Sequence, residues 1–275
     1  MENVLTGYHS IDQMKVYYEF YPNKMAEKTI ILLHGFLASS FTFRHLIPLL
    51  HENYQVLSVD IPPFGKSGKS QGYKYSYKNF AKTTIQLIES LEIKKAIFIG
   101  HSMGGQVVLN ILHQMPKLAE KAILLCSSSY RKRSGILFIL SSYLPFFHRF
   151  LKFWMARIGV EKNLQSTLYN HSIINEEMIN GYLQPFLEDK IFMALTRMIR
   201  HLEADLPAKV LKSIQTPCLL IWGDQDKSQP LHIGKRLHSD LVNSELVVLK
   251  ETGHAVPEER PKEVFQHITH FLEFN

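Results

Sequence analysis

Short apolar runs and amphipathic stretches take turns along most of this chain. Residues 29–33 (TIILL), 54–59, 95–99, 122–126, 218–222 and 246–249 are dominated by apolar residues, with no regular alternation of apolar and polar positions. That pattern predicts strands buried on both faces, as in a parallel sheet covered by helices. Between them, residues 42–51, 77–91, 106–115 and 231–238 read as helices, as does 257–274, with Pro257 at its first helical position. In 77–91 the positions Phe80, Thr84, Leu87, Ile88 and Leu91 fall close to helical spacing. Residues 8–20 read differently, as a hairpin whose alternating arm, 15–20, follows a polar turn. The β-α-β-α order predicts a doubly wound, mostly parallel sheet.

The rhythm breaks after Ser129 and resumes before Cys218. Residues 130–205 carry helical stretches without strands and are rich in aromatic residues. The expected organisation is therefore a core made of residues 1–129 and 206–275, with 130–205 inserted as a helical cap over the site. Inside that insertion, 135–147 (GILFILSSYLPFF) is the most apolar stretch of the chain. It falls short of the roughly 20 residues a membrane span needs, contains Pro145, and runs into His148, Arg149 and Lys152. The plainer reading is a cap helix whose apolar face covers the substrate pocket. Peripheral membrane contact through apolar and basic residues is the alternative, and stable insertion is not expected.

Composition adds little to the fold and something to the function. With 275 residues, 45% hydrophobic and 20% charged, the chain can bury a full-sized core. The net charge of +6 is local: from residue 131 to 162 there are seven Lys/Arg and one Glu, an excess equal to that of the whole chain. No helix-turn-helix, RNP or zinc-finger signature accompanies it, so nucleic acid is not an expected partner. The start, MENVLTGYHS, shows no export or transit signal, and a cytoplasmic location is the default expectation. Cys126 and Cys218 lie in apolar strand-like runs and are expected to be inert core thiols. His267 and His270 could share a helix face, with solvation a better reading than metal binding.

The chemistry concentrates at the ends of the predicted strands. Gly100-His101-Ser102-Met103-Gly104 fits G-x-S-x-G and lies between a buried strand and a helix, where a strained turn can expose a nucleophilic serine. A serine hydroxyl needs a base, normally a histidine oriented by a carboxylate. In the chain order Ser, acid, His, His254 alone of 14 histidines follows the last strand and precedes the final helix. The acid is Asp224 or Asp226, both in the loop after 218–222; spacing does not separate them, since either could cap the turn instead. The N–H groups of Phe36, after the first buried strand, and Met103 are placed to form an oxyanion hole. His34 is expected to shape its loop without transferring protons.

These pieces resemble the α/β-hydrolase superfamily over essentially the whole chain: HGF at His34 to Phe36, GHSMGG at Gly100 to Gly105, GDQD at Gly223 to Asp226, and Gly253-His254. The stretch 60–67 (DIPPFGKS) is similar to the family's D-x-P-G-x-G-x-S loop, with Pro63 in place of a glycine. The resemblance favours Asp226 as the acid and implies an acyl-enzyme mechanism with no metal or organic cofactor. It points to the capped esterases and carbon–carbon hydrolases; Ser102 argues against the related dehalogenases and epoxide hydrolases, which use an aspartate nucleophile. Cofactor-free haloperoxidases share the same triad. Ala255 stands where carbon–carbon hydrolases commonly carry an aromatic residue.

The leading expectation is a carboxylesterase acting on a small-molecule ester of small to medium size. Its apolar part would meet the cap aromatics Phe138, Tyr143, Phe146, Phe147, Phe150, Phe153 and Trp154. The alternatives are a carbon–carbon bond hydrolase of ring-fission products and, from a different class, a non-enzymatic ligand receptor or partner-binding module.

Overall fold

The computed structural model describes residues 4–274. Residues 1–3 and 275, the outermost parts of the expected core and of the start read for an export signal, lie outside the described residues. Eight strands form one sheet in the order β1-β2-β4-β3-β5-β6-β7-β8. β1 (Leu5–Ile11) and β2 (Met14–Tyr21) make the expected hairpin, and β2 continues antiparallel onto β4 (Gln55–Val59). Its turn residues Asp12 and Gln13 both have positive φ, 45° and 64°, the backbone that matches the twist of two-residue hairpins. β3 (Thr29–Leu33), β5 (Ala96–His101), β6 (Ala119–Leu125), β7 (Cys218–Gly223) and β8 (Ser244–Leu249) join β4 in parallel. Every residue of β3, β5 and β7 is buried, which is why these strands lack alternation.

The chain winds outward from β3 to β4, then returns past β3 to lay down β5 and its successors. The order therefore reverses between β3 and β5. In open α/β sheets a crevice forms at such a switch point, beyond the carboxyl ends of the strands. His34 to Phe36 leave β3 and Ser102 leaves β5 at that crevice.

The helices outside the 130–205 stretch are α1 (Ile47–His51), α2 (Tyr77–Ser90), α3 (Met103–Gln114), α9 (Ala208–Leu211), α10 (Leu231–Asp240), α11 (Val256–Glu259) and α12 (Pro261–Phe274). Those within it are α4 (Ile136–Ser141), α5 (Phe147–Ile158), α6 (Val160–Thr167), α7 (Glu176–Leu183) and α8 (Lys190–His201). No strand lies between β6 and β7 among the described residues.

Two expected helices are broken, and proline explains both. The helix expected over 42–51 is a 3₁₀ turn, Ser40–Phe43, followed by α1, because Pro48 lacks an N–H and its ring would clash with the carbonyl four residues back. The final helix is split in the same way: Pro261 ends α11, holds Arg260 outside the helical region at φ −135°, and opens α12 at its own first position. Pro257 falls inside α11, which starts at Val256. A third difference is that α3 starts at Met103, not at residue 106, so Gly104 and Gly105 are helical.

Candidate active site

Ser102 sits in the turn between β5 and α3. Its φ of 52° and ψ of −116° lie outside the regions favoured for a residue with a side chain. The bend is held by backbone bonds on both sides: Ser102 N–H donates to the Leu125 carbonyl at 2.9 Å, and its own carbonyl accepts from Ser128 at 2.9 Å and Gly105 at 3.0 Å. Only glycine fits two places before and after it. A Cβ on Gly100 would come within 2.6 Å of the Gly105 backbone, and one on Gly104 within 2.0 Å of the Leu33 carbonyl oxygen. The spacing of the two glycines thus follows from strand and helix crossing at contact distance.

The two acids of the GDQD loop separate by geometry. Asp226, buried, takes His254 Nδ1 at 2.7 Å on Oδ2 and the backbone N–H groups of Ser228 and Gln229, both at 2.8 Å, on Oδ1. Asp224 instead accepts a long bond, 3.4 Å, from the Thr252 backbone N–H. Because a carboxylate only accepts, Nδ1 donates to it, and in a neutral ring that tautomer leaves the lone pair on Nε2. Ser102 and His254 line one cavity of about 290 Å³, with Phe36 on its wall.

The His254 loop is clamped from three directions that sequence reading missed. His254 N–H donates to the Thr167 carbonyl at 2.7 Å, at the end of α6. The Glu259 carboxylate accepts from Gly253 at 2.8 Å, Tyr169 at 2.9 Å and Asn170 at 3.0 Å, tying the same loop to the same stretch. His101 Nε2 donates to the His254 carbonyl at 3.0 Å, with the two rings 5.0 Å apart. Burial, with the His254 ring beside it, pushes His101 down to about 3, so it is a neutral donor and not a second base. Its place next to Ser102 was visible in the sequence; its partner, 153 residues away, was not.

His34 ties its loop together through both ring nitrogens. Nδ1–H donates to the Gly35 carbonyl at 2.7 Å, while Nε2 accepts from Ile61 N–H at 2.9 Å. Burial lowers its pKa, in keeping with a neutral ring. In a trans peptide the carbonyl and N–H point in opposite directions, so fixing the Gly35 oxygen also fixes the Phe36 N–H. Neither Phe36 N–H nor Met103 N–H donates to a protein acceptor among the described residues. Phe64, from the 60–67 loop, packs edge-on against His34 and Phe36. That loop has a cis Pro62–Pro63 bond and is tied down by Asp60, which accepts from the N–H groups of Ser40 and Lys66, both at 2.7 Å.

Both cysteines are buried thiols, as expected. Cys126 is nonetheless close to the site: its sulfur lies within 4.8 Å of ligand atoms of Asp226 and His254. Burial and the Asp226 carboxylate push its thiol well up, which leaves it protonated.

A second cavity, about 590 Å³ and lined by apolar residues such as Met155, Ile158, Val160, Leu183, Phe186 and Phe192, adjoins the first. The two share Phe36, Leu37, Asn163, Leu164 and Tyr182 as walls. Tyr182, on α7, donates to the buried Glu258 at 2.9 Å, and Glu258 accepts from Arg44 Nη1 at 2.5 Å, so the helical stretch is joined to the sheet side beside the cavity. The aromatic residues expected to line the pocket mostly do not. Phe147 is buried and Trp154 borders the larger cavity, but Phe138, Tyr143, Phe146, Phe150 and Phe153 are exposed. Within α5 the helical spacing decides: Phe147, Leu151 and Met155 take the inner face, leaving Phe150 and Phe153 outside.

Comparison with known proteins places this arrangement in context. The alpha/beta hydrolase fold family profile matches residues 28–261. The uncharacterized hydrolase YugF of Bacillus subtilis is 48% identical over 263 residues, covering 96% of either chain. A 2-hydroxy-6-oxononadienedioate/2-hydroxy-6-oxononatrienedioate hydrolase from a Pseudomonas species is 26% identical over 264 residues, 90% of this chain and 88% of its own. The structure of a meta-cleavage product hydrolase from Pseudomonas fluorescens superposes with a TM-score of 0.79 at 19% identity, covering 97% of both chains.

Proposed function

The chain belongs to the alpha/beta hydrolase fold family and is a hydrolase, and from that premise we propose that it is a serine carboxylesterase acting through Ser102, His254 and Asp226. The observation that carries this reading is the 2.7 Å His254–Asp226 contact at the rim of a cavity that Ser102 also lines. Asp226 holds the His254 ring with Nε2 free to take the Ser102 proton as Oγ attacks the ester carbonyl. The negative charge on the carbonyl oxygen is met by the N–H groups of Phe36 and Met103, the latter at the start of α3, where the helix dipole adds to the effect. Each such donor is worth about 3 kcal/mol of barrier. His254 then returns the proton to the leaving alcohol, and water activated by the same histidine releases the acyl group.

Residues 130–205 act as the cap in this reading, with residues 1–129 and 206–275 as the core. The apolar cavity of about 590 Å³ suits the apolar part of the substrate. Reaction with a fluorophosphonate probe, beside turnover of p-nitrophenyl esters of increasing chain length, tests the proposal. Labelling and chain-length-dependent turnover are expected, both lost in Ser102→Ala. A folded wild-type protein that neither labels nor turns over esters would sink it.

A further inference from the structure

The largest unexplained feature lies on the far side of α5 from the cavities. Phe146, just before the helix, with Phe150, Phe153 and Arg157 inside it, is spaced to form one outward stripe, and all four are exposed. α4 extends the same surface: Leu137 is 79% exposed, and Phe138 meets Phe147 edge-on at 6.0 Å while Phe147 meets Phe150 at 5.8 Å. A shallow groove of about 530 Å³ runs between the two helices, lined by Phe138, Leu144, Pro145, Phe146, Phe147 and Phe150. Such a contiguous apolar surface marks an interaction site.

Its charge says what kind. Seven Lys/Arg and one Glu occur from residue 131 to 162. Among the described residues Lys152 alone of these cations has an ion pair, with Asp189 at 2.5 Å. Arg149 lies over the Phe146 ring, 4.7 Å from its centroid, so cation and aromatic share one surface. A second copy of this chain would bring the same cationic surface against itself. An anionic partner with an apolar interior fits both components, and aromatic side chains mixed with Lys/Arg are the composition of interfacial helices. Among the described residues no helix is long and apolar enough to cross a membrane.

We propose that the outward face of α4 and α5 docks this protein on the surface of an anionic phospholipid bilayer, with Phe146, Phe150 and Phe153 entering the headgroup boundary and Arg149 and Arg157 meeting the lipid charge. The inference goes beyond the esterase reading and does not depend on it. It also gives α5 two roles, since Met155 and Ile158 on its other face line the larger cavity. Docking places α5 between that cavity and the bilayer.

The test is co-sedimentation of the full chain with vesicles of phosphatidylcholine alone or with about 30% phosphatidylglycerol, at low and high salt. Binding is expected to require phosphatidylglycerol and to weaken with salt. Arg149→Gln with Arg157→Gln should lower the partition roughly 25-fold, about fivefold for each cation lost. Phe150→Ser with Phe153→Ser should lower it at least about tenfold, while near-UV circular dichroism of all variants stays that of the wild type. Wild-type protein left in the supernatant with phosphatidylglycerol vesicles at low salt overturns the proposal. So does a wild-type dimer, seen by sedimentation, that the two Phe→Ser changes dissociate without any vesicle binding.

Discussion

The sheet and the helices between β6 and β7 use apolar residues in opposite ways. In β3, β5 and β7 every position is buried, and Ile30 to Leu33 are wholly removed from solvent. In α4, Ile139 alone is buried while Ile136, Leu137, Phe138 and Leu140 face outward. The first pattern is explained by the chain's own core. The second is not, so an apolar run in this sequence reports burial only where neighbouring strands and helices close over it. The comparison extends to chemistry: Ser102, Asp226 and His254 all leave the carboxyl ends of strands, and the helical stretch supplies most of the walls of the larger cavity.

The largest expected effect sharpens the chemical half of that contrast. Asp226→Asn keeps the side-chain shape but offers His254 Nδ1 an amide in place of a carboxylate, and should lower kcat on a soluble ester by about 10⁴-fold. Asp224→Asn, whose carboxylate accepts from the Thr252 N–H at 3.4 Å, should cost less than about tenfold. Equal losses in the two variants would mean that the 2.7 Å contact does not carry the reaction.

Stability should divide along the same line. Phe98, in the middle of β5 and wholly buried, should cost about 3–5 kcal/mol when changed to alanine, read from denaturant midpoints at constant m-value. A cost below about 1 kcal/mol would show that the sheet core collapses around the cavity and is less rigid than its burial implies.

Much of this division was legible beforehand. The buried strands, the G-x-S-x-G turn, and the positions of His254 and of the two acids follow from local pattern, because a strand buried on both faces and a glycine pair around a bend each leave a mark within a few residues. What was hidden depends on distance in the chain. His101 meeting the His254 carbonyl, Glu259 bridging to Tyr169 and Asn170, and Tyr182 reaching Glu258 pair residues 76 to 153 positions apart. The direction of the aromatic residues in α5 was hidden for another reason. Aromatic residues in α5 spread beyond the face opposite its basic residues, so Phe147 and Phe150 look alike until the neighbours are known.

Acid titration gives an intermediate effect and probes the His254 loop, whose backbone N–H in turn meets the Thr167 carbonyl of α6. His101 is pushed down to about 3 in the folded protein, whereas in the unfolded chain it takes a proton near pH 6.5. The folded state then binds fewer protons between those values, so stability is present above pH 6.5 and is lost as pH falls towards 3. The slope is about 1.4 kcal/mol per pH unit for one such group. His34, also lowered by burial, adds to it. His101→Gln retains a donor for the His254 carbonyl and should remove one group's share of the slope between about pH 4 and 6. An unchanged slope would mean that His101 is protonated in the folded protein and that the loop is held in some other way.

The smallest effect is the one that could break the comparison outright. Phe153→Ser replaces a large aromatic residue in the middle of α5, a change that in a core would cost several kcal/mol. Phe153 is 64% exposed, and Ser and Phe have nearly equal helix propensities, so neither lost burial nor the backbone should register strongly. The denaturant midpoint should stay within about 0.5 kcal/mol of the wild type. A loss of 2 kcal/mol or more would mean that Phe153 is covered in solution by part of the same chain. The outward face of α5 would then be another piece of core, and the helical stretch would follow the same rule as the sheet. A midpoint that holds, with vesicle binding reduced, would leave the apolar surface of α5 answering to something outside the fold.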